Sequence, residues 1–397
     1  MGGGAAGFFA AIHLAEHARV TILERGKSVL EKVRISGGGR CNVTHACFDP
    51  KDLTAFYPRG GRELRGPFHH FACGDTMGWF EDRGVPLKIE EDGRVFPVSD
   101  DSQSIIDCLW QTAKRLGVEV RTRSSAADPR PLADGGWTVP LRSGEELRAD
   151  KLVITTGSNP TVWKTLGRLG HTLVDPVPSL FTFDIQDQLI SGLAGISLPW
   201  VALRIDGQKL SAEGPLLVTH RGLSGPAILR LSAWGARELA GGGYRFSLHV
   251  NWTNHRPQDV ADLLAERRTE WAKRQIGNYP LYELPQRLWQ RLVQAARIPD
   301  DRQWAQLTND QSQALVEQLT DSRFSVTGKS THKEEFVTAG GVDLREVDFR
   351  DFSSRKLPNL HLAGEVLDID AITGGFNFQA AWTGGYLIGQ SGAGAGV

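Results

Sequence analysis

The chain has no apolar run approaching the ~18 residues of a membrane-crossing helix, and its residues include no basic segment leading into an apolar core of the secretory kind. Cysteine is scarce. Cys41, Cys47, Cys73 and Cys108 are the only four among 397 residues, too few for a disulfide framework and at no zinc-site spacing. Histidine is better represented at 11 residues, but H-E-x-x-H is missing, so no metal site is expected. Neither G-x-S-x-G nor a P-loop lysine occurs. With a net charge of -1 there is no overall cationic surplus for nucleic acid or an anionic membrane. The 11 tryptophans are scattered rather than interleaved with a basic stripe. These absences lead to the expectation of a reduced, cytoplasmic protein with a small-molecule substrate, no nucleic-acid partner and no membrane partner. They say nothing of oligomeric state.

What is abundant is glycine, at 45 residues, clustered near both ends and around Gly241; such clusters let backbone approach a ligand closely. The length exceeds one compact core, so two or three domains are expected. Up to about residue 160 helix and strand patterns alternate, as in a sheet with helices on its faces. A helix is expected over 8–16, a strand over 20–23, a hairpin over 87–98 turning at Asp92-Gly93, a helix capped by Ser102 and a buried strand over 151–157. From about 176 to 252 short strand-like runs dominate, broken by a helix capped at Ser224 and begun by Pro226. From 257 to 320 the pattern is helical, sheet character returns near Phe324, and the residues from Ser391 look frayed.

The chain opens on Gly2-Gly3-Gly4-Ala5-Ala6-Gly7, which fits G-x-G-x-x-G with Gly2, Gly4 and Gly7 at the fixed places. The first glycine turns the chain, the second admits a pyrophosphate and the third lets the next helix pack on its sheet. Glu24 stands at the end of the next strand, where a carboxylate takes ribose hydroxyls. No apolar strand precedes Gly2. That predicts unpaired backbone groups on the flanking strands and a natural chain that begins upstream.

The stronger signal lies in the tail. Strand-like Leu360-His361-Leu362 runs into Gly364-Glu365, and Gly374-Gly375 then opens a helix at Phe376-Asn377. A Gly-acid strand end suits a ribitol hydroxyl, and a Gly-Gly helix start aims free N–H groups at an acceptor. A flavin needs such an edge, because reduction places negative charge on it.

The stretches GGGAAGFFAA at the start, SGGGRCNVTH (36–45), GRVFPVSD (93–100), VTHRGLSGPAIL (218–229), TAGGV (338–342) and AGEVLDIDAITGGFNFQAAW (363–382) together resemble the prokaryotic flavoprotein family of the YhiN/BaiN type, over nearly the whole chain and in order. The resemblance implies an α/β fold: a Rossmann-like FAD-binding domain of the glutathione-reductase kind, split by a β-rich, barrel-like insertion and a helical subdomain. The boundaries it suggests are 1–165 and 336–397 for the FAD domain, 166–255 for the β-rich part, 256–320 for the helical part and 321–335 for a return strand. It implies FAD, with NAD(P)H as a candidate electron donor. It places Gly2, Gly4, Ala6 and Gly7 at the pyrophosphate, Glu24 at the ribose and Lys32 at a phosphate or ribose. Ser36, Gly38, Arg40, Cys41 and Asn42 pass close to the flavin, and Thr156 and Gly157 line the crevice. Gly364 and Glu365 take the ribitol; Gly374, Gly375, Phe376 and Asn377 lie beside the isoalloxazine. The segment 158–163 is shorter than the family's glycine-rich loop there.

The activity so implied is hydride transfer through flavin N5, either reducing an activated, enone-like C=C or oxidising a small amine. No general acid or base stands out; Arg40 and Arg221 are the catalytic candidates. Two alternatives remain open. One is a module that holds FAD without turnover and serves a partner protein. The other is a flavin disulfide reductase using Cys41 and Cys47, against which stand a five-residue spacer and the lack of a second dinucleotide motif.

Overall fold

The computed structural model describes residues 1–330 and 337–391; residues 331–335 of the return strand expected over 321–335, and the end expected to fray from Ser391 apart from that residue itself, lie outside the described residues. The chain divides into two compact units, residues 1–177 with 333–397, and residues 178–332. No helix among the described residues is long and apolar enough to cross a membrane.

The first unit is α/β, of the expected Rossmann kind, its strands lying in several small sheets. Thr21–Leu23 pairs in parallel with Glu119–Arg121, and Leu152–Ile154 pairs in parallel with Leu360–Leu362. Met1 stands between these two groups. Its amine donates to Val153 O at 2.6 Å, its carbonyl accepts from Thr155 N at 2.8 Å, and Gly2 N donates to Leu23 O at 2.9 Å. The edges expected to be unpaired are thus satisfied at their carboxyl ends by two residues, since backbone groups removed from water demand partners. Beside Met1, a cavity of about 240 Å³ is lined by Leu152, Ile154, Leu166 and Leu360 together with charged groups that include Asp128, Arg142 and Arg168.

The opening helix, Ala5–Leu14, begins inside the glycine motif rather than at residue 8. Ala5 and Ala6 are good helix formers, and Gly4 enters in extended geometry. The helix packs beside the C-terminal helix Phe376–Gln390 through glycines. A Cβ on Gly385 would lie 2.9 Å from Ala10 N and Phe9 Cβ, and one on Gly389 would collide with His13. Ala10 opposite Gly385 and His13 opposite Gly389 mean that the two helices run parallel. Phe9, Trp79 and Trp382 close the core beneath them, with ring centroids 4.7 and 5.2 Å from Phe9.

Elsewhere in this unit the hairpin Leu87–Ile89/Arg94–Pro97 forms as its Asp-Gly turn predicts. The helix Ser102–Arg115 is capped one residue earlier than expected: Asp101 accepts from Gln103 N. Ser102 instead donates to Arg34 O at 2.8 Å.

In the second unit, Thr182–Ile185, Gly222–Ser224, Ser211–Thr219, Ser197–Ile205, Phe246–Asn251 and Ser322–Ser330 close into a six-stranded barrel whose neighbouring strands pair antiparallel. The returning strand at Phe324 completes it by pairing on both sides. The strand Ser211–Thr219 buries every second residue, so alternation fills the interior. Ser224 is not a helix cap; its hydroxyl bonds Thr182 Oγ1 at 2.9 Å, and the helix Pro226–Trp234 starts from Gly225 without a side-chain cap. Helices Pro257–Glu270, Gln286–Ala295 and Asn309–Thr320 form the helical part.

Candidate functional site

The candidate site lies wholly in the first unit, along the amino ends of the two parallel helices. Neither Ala5–Leu14 nor Phe376–Gln390 has a side-chain cap, so each presents unsatisfied N–H groups and the positive end of its dipole. Aligning His13 with Gly389 puts the start of the C-terminal helix about five residues, roughly 7–8 Å, ahead of the other. Two anion-attracting ends in step, one ahead of the other, suit an extended dinucleotide.

Local sequence builds each end. Gly2 has φ +105° and sits against the Thr155 carbonyl, while Gly4 faces open space. Glu24 holds the loop: its carboxylate accepts from Gly3 N at 2.9 Å and Gly26 N at 2.7 Å. At the other end Gly374 and Gly375 have φ of +130° and +91°. A Cβ on Gly375 would sit 2.5 Å from Thr44 O, so only glycine fits. In the amide orientation that satisfies both of its ends, Asn42 accepts from Gly375 N at 3.0 Å and donates to Thr44 O at 3.0 Å. Gln379 accepts from Thr44 Oγ1 at 2.6 Å and from Thr76 Oγ1 at 2.9 Å, tying the helix's first turn to its neighbours.

Between these ends Lys32 pairs with Glu365, whose other oxygen accepts from Thr338 N at 3.0 Å. Thr156 Oγ1 and Thr338 Oγ1 are buried close to this carboxylate without partners among the described residues. Orphaned buried hydroxyls are uncommon and point to a missing polar partner. Together with the uncapped helices, they fit the hydroxyl- and phosphate-rich spine of FAD.

Several predicted residues are placed differently within this frame. Gly364 turns at φ +77° and Gly157 at φ +61°, the latter beside Glu365. Ser36, Gly37, Gly38 and Gly39 form a tight turn in which a Cβ on Gly38 or Gly39 would meet nothing within 4 Å. Arg40 is pinned over the Phe96 ring at 3.9 Å, bonded to Glu90 at 2.6 Å and Asp100 at 3.3 Å; the hydrogen bonds it donates to Glu90 and then to Asp100 raise its pKa. Asn377 turns both ends of its amide onto Ala371, at 3.0 and 3.1 Å, closing the loop before the helix. Phe376 stacks on Phe56 at 4.3 Å. Cys41 is fully buried, and burial pushes its thiol up to about 12; Cys47 is raised to about 11, again chiefly by burial. A reactive thiolate needs the opposite environment. Arg221 lies in the second unit, exposed, 3.1 Å from Asp184.

Three features around the Gly374–Gly375 turn escaped sequence reasoning. His45 Nδ1 lies 3.2 Å from Gly374 O, and burial lowers its pKa. Tyr57 donates to Phe376 O at 2.6 Å. Arg59 grips Asp370 with both carboxylate oxygens engaged, at side-chain exposures of 10% and 0%. The aspartates in LDIDAITGG were the available signal for this last pair, since carboxylates inside an otherwise apolar run demand a partner.

Fold and site define a flavoprotein oxidoreductase built on a Rossmann nucleotide-binding domain. Residues 1–391 match the family described as HI0933-like protein Rossmann domain, and the chain belongs to that family. It is 31% identical over 405 residues to the ribosomal RNA dihydrouridine synthase of Escherichia coli (strain K12), covering 98% of this chain and 96% of the relative. It is 26% identical over 414 residues to the 3-dehydro-bile acid delta(4,6)-reductase of Clostridium scindens, covering 99% and 98%. The solved 3-ketosteroid-delta4-(5alpha)-dehydrogenase of Rhodococcus jostii RHA1 superposes with a TM-score of 0.52 at 15% identity, covering 99% of this chain and 95% of that one, a likeness of fold alone.

Proposed function

We propose that the protein reduces a carbon–carbon double bond conjugated to a carbonyl, and that its substrate is a uracil ring in ribosomal RNA. The observation that carries this reading is the full-length similarity, at 31% identity, to a ribosomal RNA dihydrouridine synthase. The bile-acid relative supports the same chemistry. Uracil C5=C6 is conjugated to the C4 carbonyl, as a steroid ring alkene is to a 3-oxo group, so both names describe adding hydrogen across an enone-like bond. The reading departs from the small-molecule expectation drawn from a net charge of -1, because net charge averages away local patches.

In this reading Gly2, Gly4, Ala6 and Gly7 hold the pyrophosphate of FAD, Glu24 its adenosine ribose, and Lys32, Thr156, Gly157, Gly364 and Glu365 the chain between its two ends. Ser36, Gly38, Cys41 and Asn42 pass beside the flavin edge, with Gly374, Gly375, Phe376 and Asn377 opposite. When bound, FAD supplies the hydride that NAD(P)H, the proposed donor, delivers to it. The chain's own part is electrostatic and steric. The uncapped helix at Phe376 offers N–H groups and a positive dipole end to developing negative charge. Asn42 and Asn377 hold the Gly374–Gly375 turn in place from two sides. Arg40, fixed by two acids and always protonated, positions its loop rather than moving protons.

The test is incubation of the purified protein, FAD and NADPH with protein-free ribosomal RNA that lacks dihydrouridine, followed by nucleoside mass spectrometry. Uridine gaining two hydrogens at a defined position supports the reading. Unmodified RNA alongside reduction of a steroidal 4-en-3-one would replace it with the second reading, a small-enone reductase, which the bile-acid relative favours.

A further inference from the structure

The helical part of the second unit carries a cationic, aromatic ledge that the site described above does not use. Over residues 267–279, Arg267, Arg268, Lys273 and Arg274 face a single acid, Glu270, with Trp271 and Tyr279 set among them. Arg267 is taken up by Glu270 and Glu266, and Arg268 bonds Asn309 at 3.1 Å. Lys273 and Arg274 are exposed and have no carboxylate partner among the described residues. The Arg274 guanidinium lies over two rings at once, 5.2 Å from the Trp271 centroid and 4.8 Å from that of Tyr279. Trp271 is braced edge-on at 6.1 Å by the fully buried Trp304, while Tyr279 leaves 39% of its surface open. Backbone bonds from Trp304 N to Arg274 O and from Ala305 N to Ala272 O, each 3.0 Å, fix the ledge.

We propose that this ledge docks RNA. Unpaired cations beside a braced aromatic face are what a flexible polyanion with stackable bases requires: phosphates go to Lys273 and the Arg274 fork, and an unstacked base goes to Tyr279. An anionic protein would use the charges but has little use for the rings, and an anionic membrane would call for a broader basic face. The inference rests on the RNA reading of the active site and names where that RNA is held.

The test compares flavin-loaded wild-type protein with Lys273→Ala/Arg274→Ala, Tyr279→Ala and, as a control in a barrel turn, Lys209→Ala. The probe is protein-free ribosomal RNA, titrated at several salt concentrations. The double variant should bind roughly ten-fold more weakly, with a salt slope smaller by about two. Tyr279→Ala should bind roughly ten-fold more weakly with the slope unchanged. In both, KM for RNA should rise while kcat, flavin content and reduction of a small enone stay put, and Lys209→Ala should match wild type. Wild-type affinity and slope in the double variant, in a protein that still makes dihydrouridine, would overturn the ledge alone, as would an equal loss in Lys209→Ala. A wild-type protein that neither binds nor modifies RNA would overturn the active-site reading and this inference with it.

Discussion

Lys32 and Glu365, 333 positions apart in the chain, meet as an ion pair at the centre of the candidate dinucleotide groove. Glu365 is the more buried partner, 16% exposed against 61% for Lys32, and it also accepts from the Thr338 backbone. Glu365→Ala should therefore lower flavin content at least ten-fold, about the value of a hydrogen bond to a charged group, with helical content unchanged by circular dichroism. Lys32→Ala should cost less than about 1 kcal/mol of stability, because exposed pairs are screened. Normal flavin content in Glu365→Ala would remove this residue from the site.

Gly375 and Gly38 make a matched test of the two glycine turns. Both have positive φ, at +91° and +69°, but a Cβ at Gly375 meets Thr44 O whereas one at Gly38 meets nothing within 4 Å. Gly38→Ala should lose only the left-handed backbone penalty, about 1 kcal/mol. Gly375→Ala should lose clearly more and release the flavin. Equal melting temperatures for the two variants would contradict the packing described.

Asp370 is fully buried and answered by Arg59. Asp370→Asn should destabilise the protein by about 3 kcal/mol in urea unfolding, because a largely buried guanidinium then loses the carboxylate charge it faces. A change under about 1 kcal/mol would mean that water reaches the pair.

Acid sensitivity should centre on Glu346. Burial alone would raise its pKa, but hydrogen bonds from Lys356, Thr172 and His171 outweigh that and hold it at about 2, against an ordinary 4.5. A depressed carboxylate contributes fully above pH 4.5 and loses its contribution as pH falls toward 2. The difference amounts to about 3 kcal/mol. Glu346→Gln should lower stability at neutral pH and flatten the loss between these limits, as read from unfolding curves taken across that range. Parallel curves for variant and wild type would assign the acid limb elsewhere.

Cys41→Ala and Cys47→Ala separate C=C reduction from disulfide chemistry. Both thiols are held protonated, mainly by burial, so turnover should stay within roughly three-fold of wild type, Cys41 serving as a small packed apolar group. Loss of all activity in either variant would restore the thiol mechanism.

Much of this architecture is local and was legible residue by residue. The glycine motifs at Gly2 and Gly374, the Asp92-Gly93 hairpin, the barrel's short strands and the returning strand at Phe324 each follow from turn chemistry or periodicity within a dozen residues. Local rules faltered where two neighbours compete for one task, as at Asp101 against Ser102, or where a hydroxyl found a distant partner, as Ser224 did in Thr182. What only the tertiary structure decided are the pairings that give the site its shape: Asn42 with Gly375, Lys32 with Glu365, Arg59 with Asp370, and Gly385 and Gly389 against the opening helix. Most of these join residues more than 300 apart. No periodicity links such positions; they meet because the two ends of the chain pack side by side as one helix pair, and desolvation there requires each buried charge or amide to be answered by a polar partner.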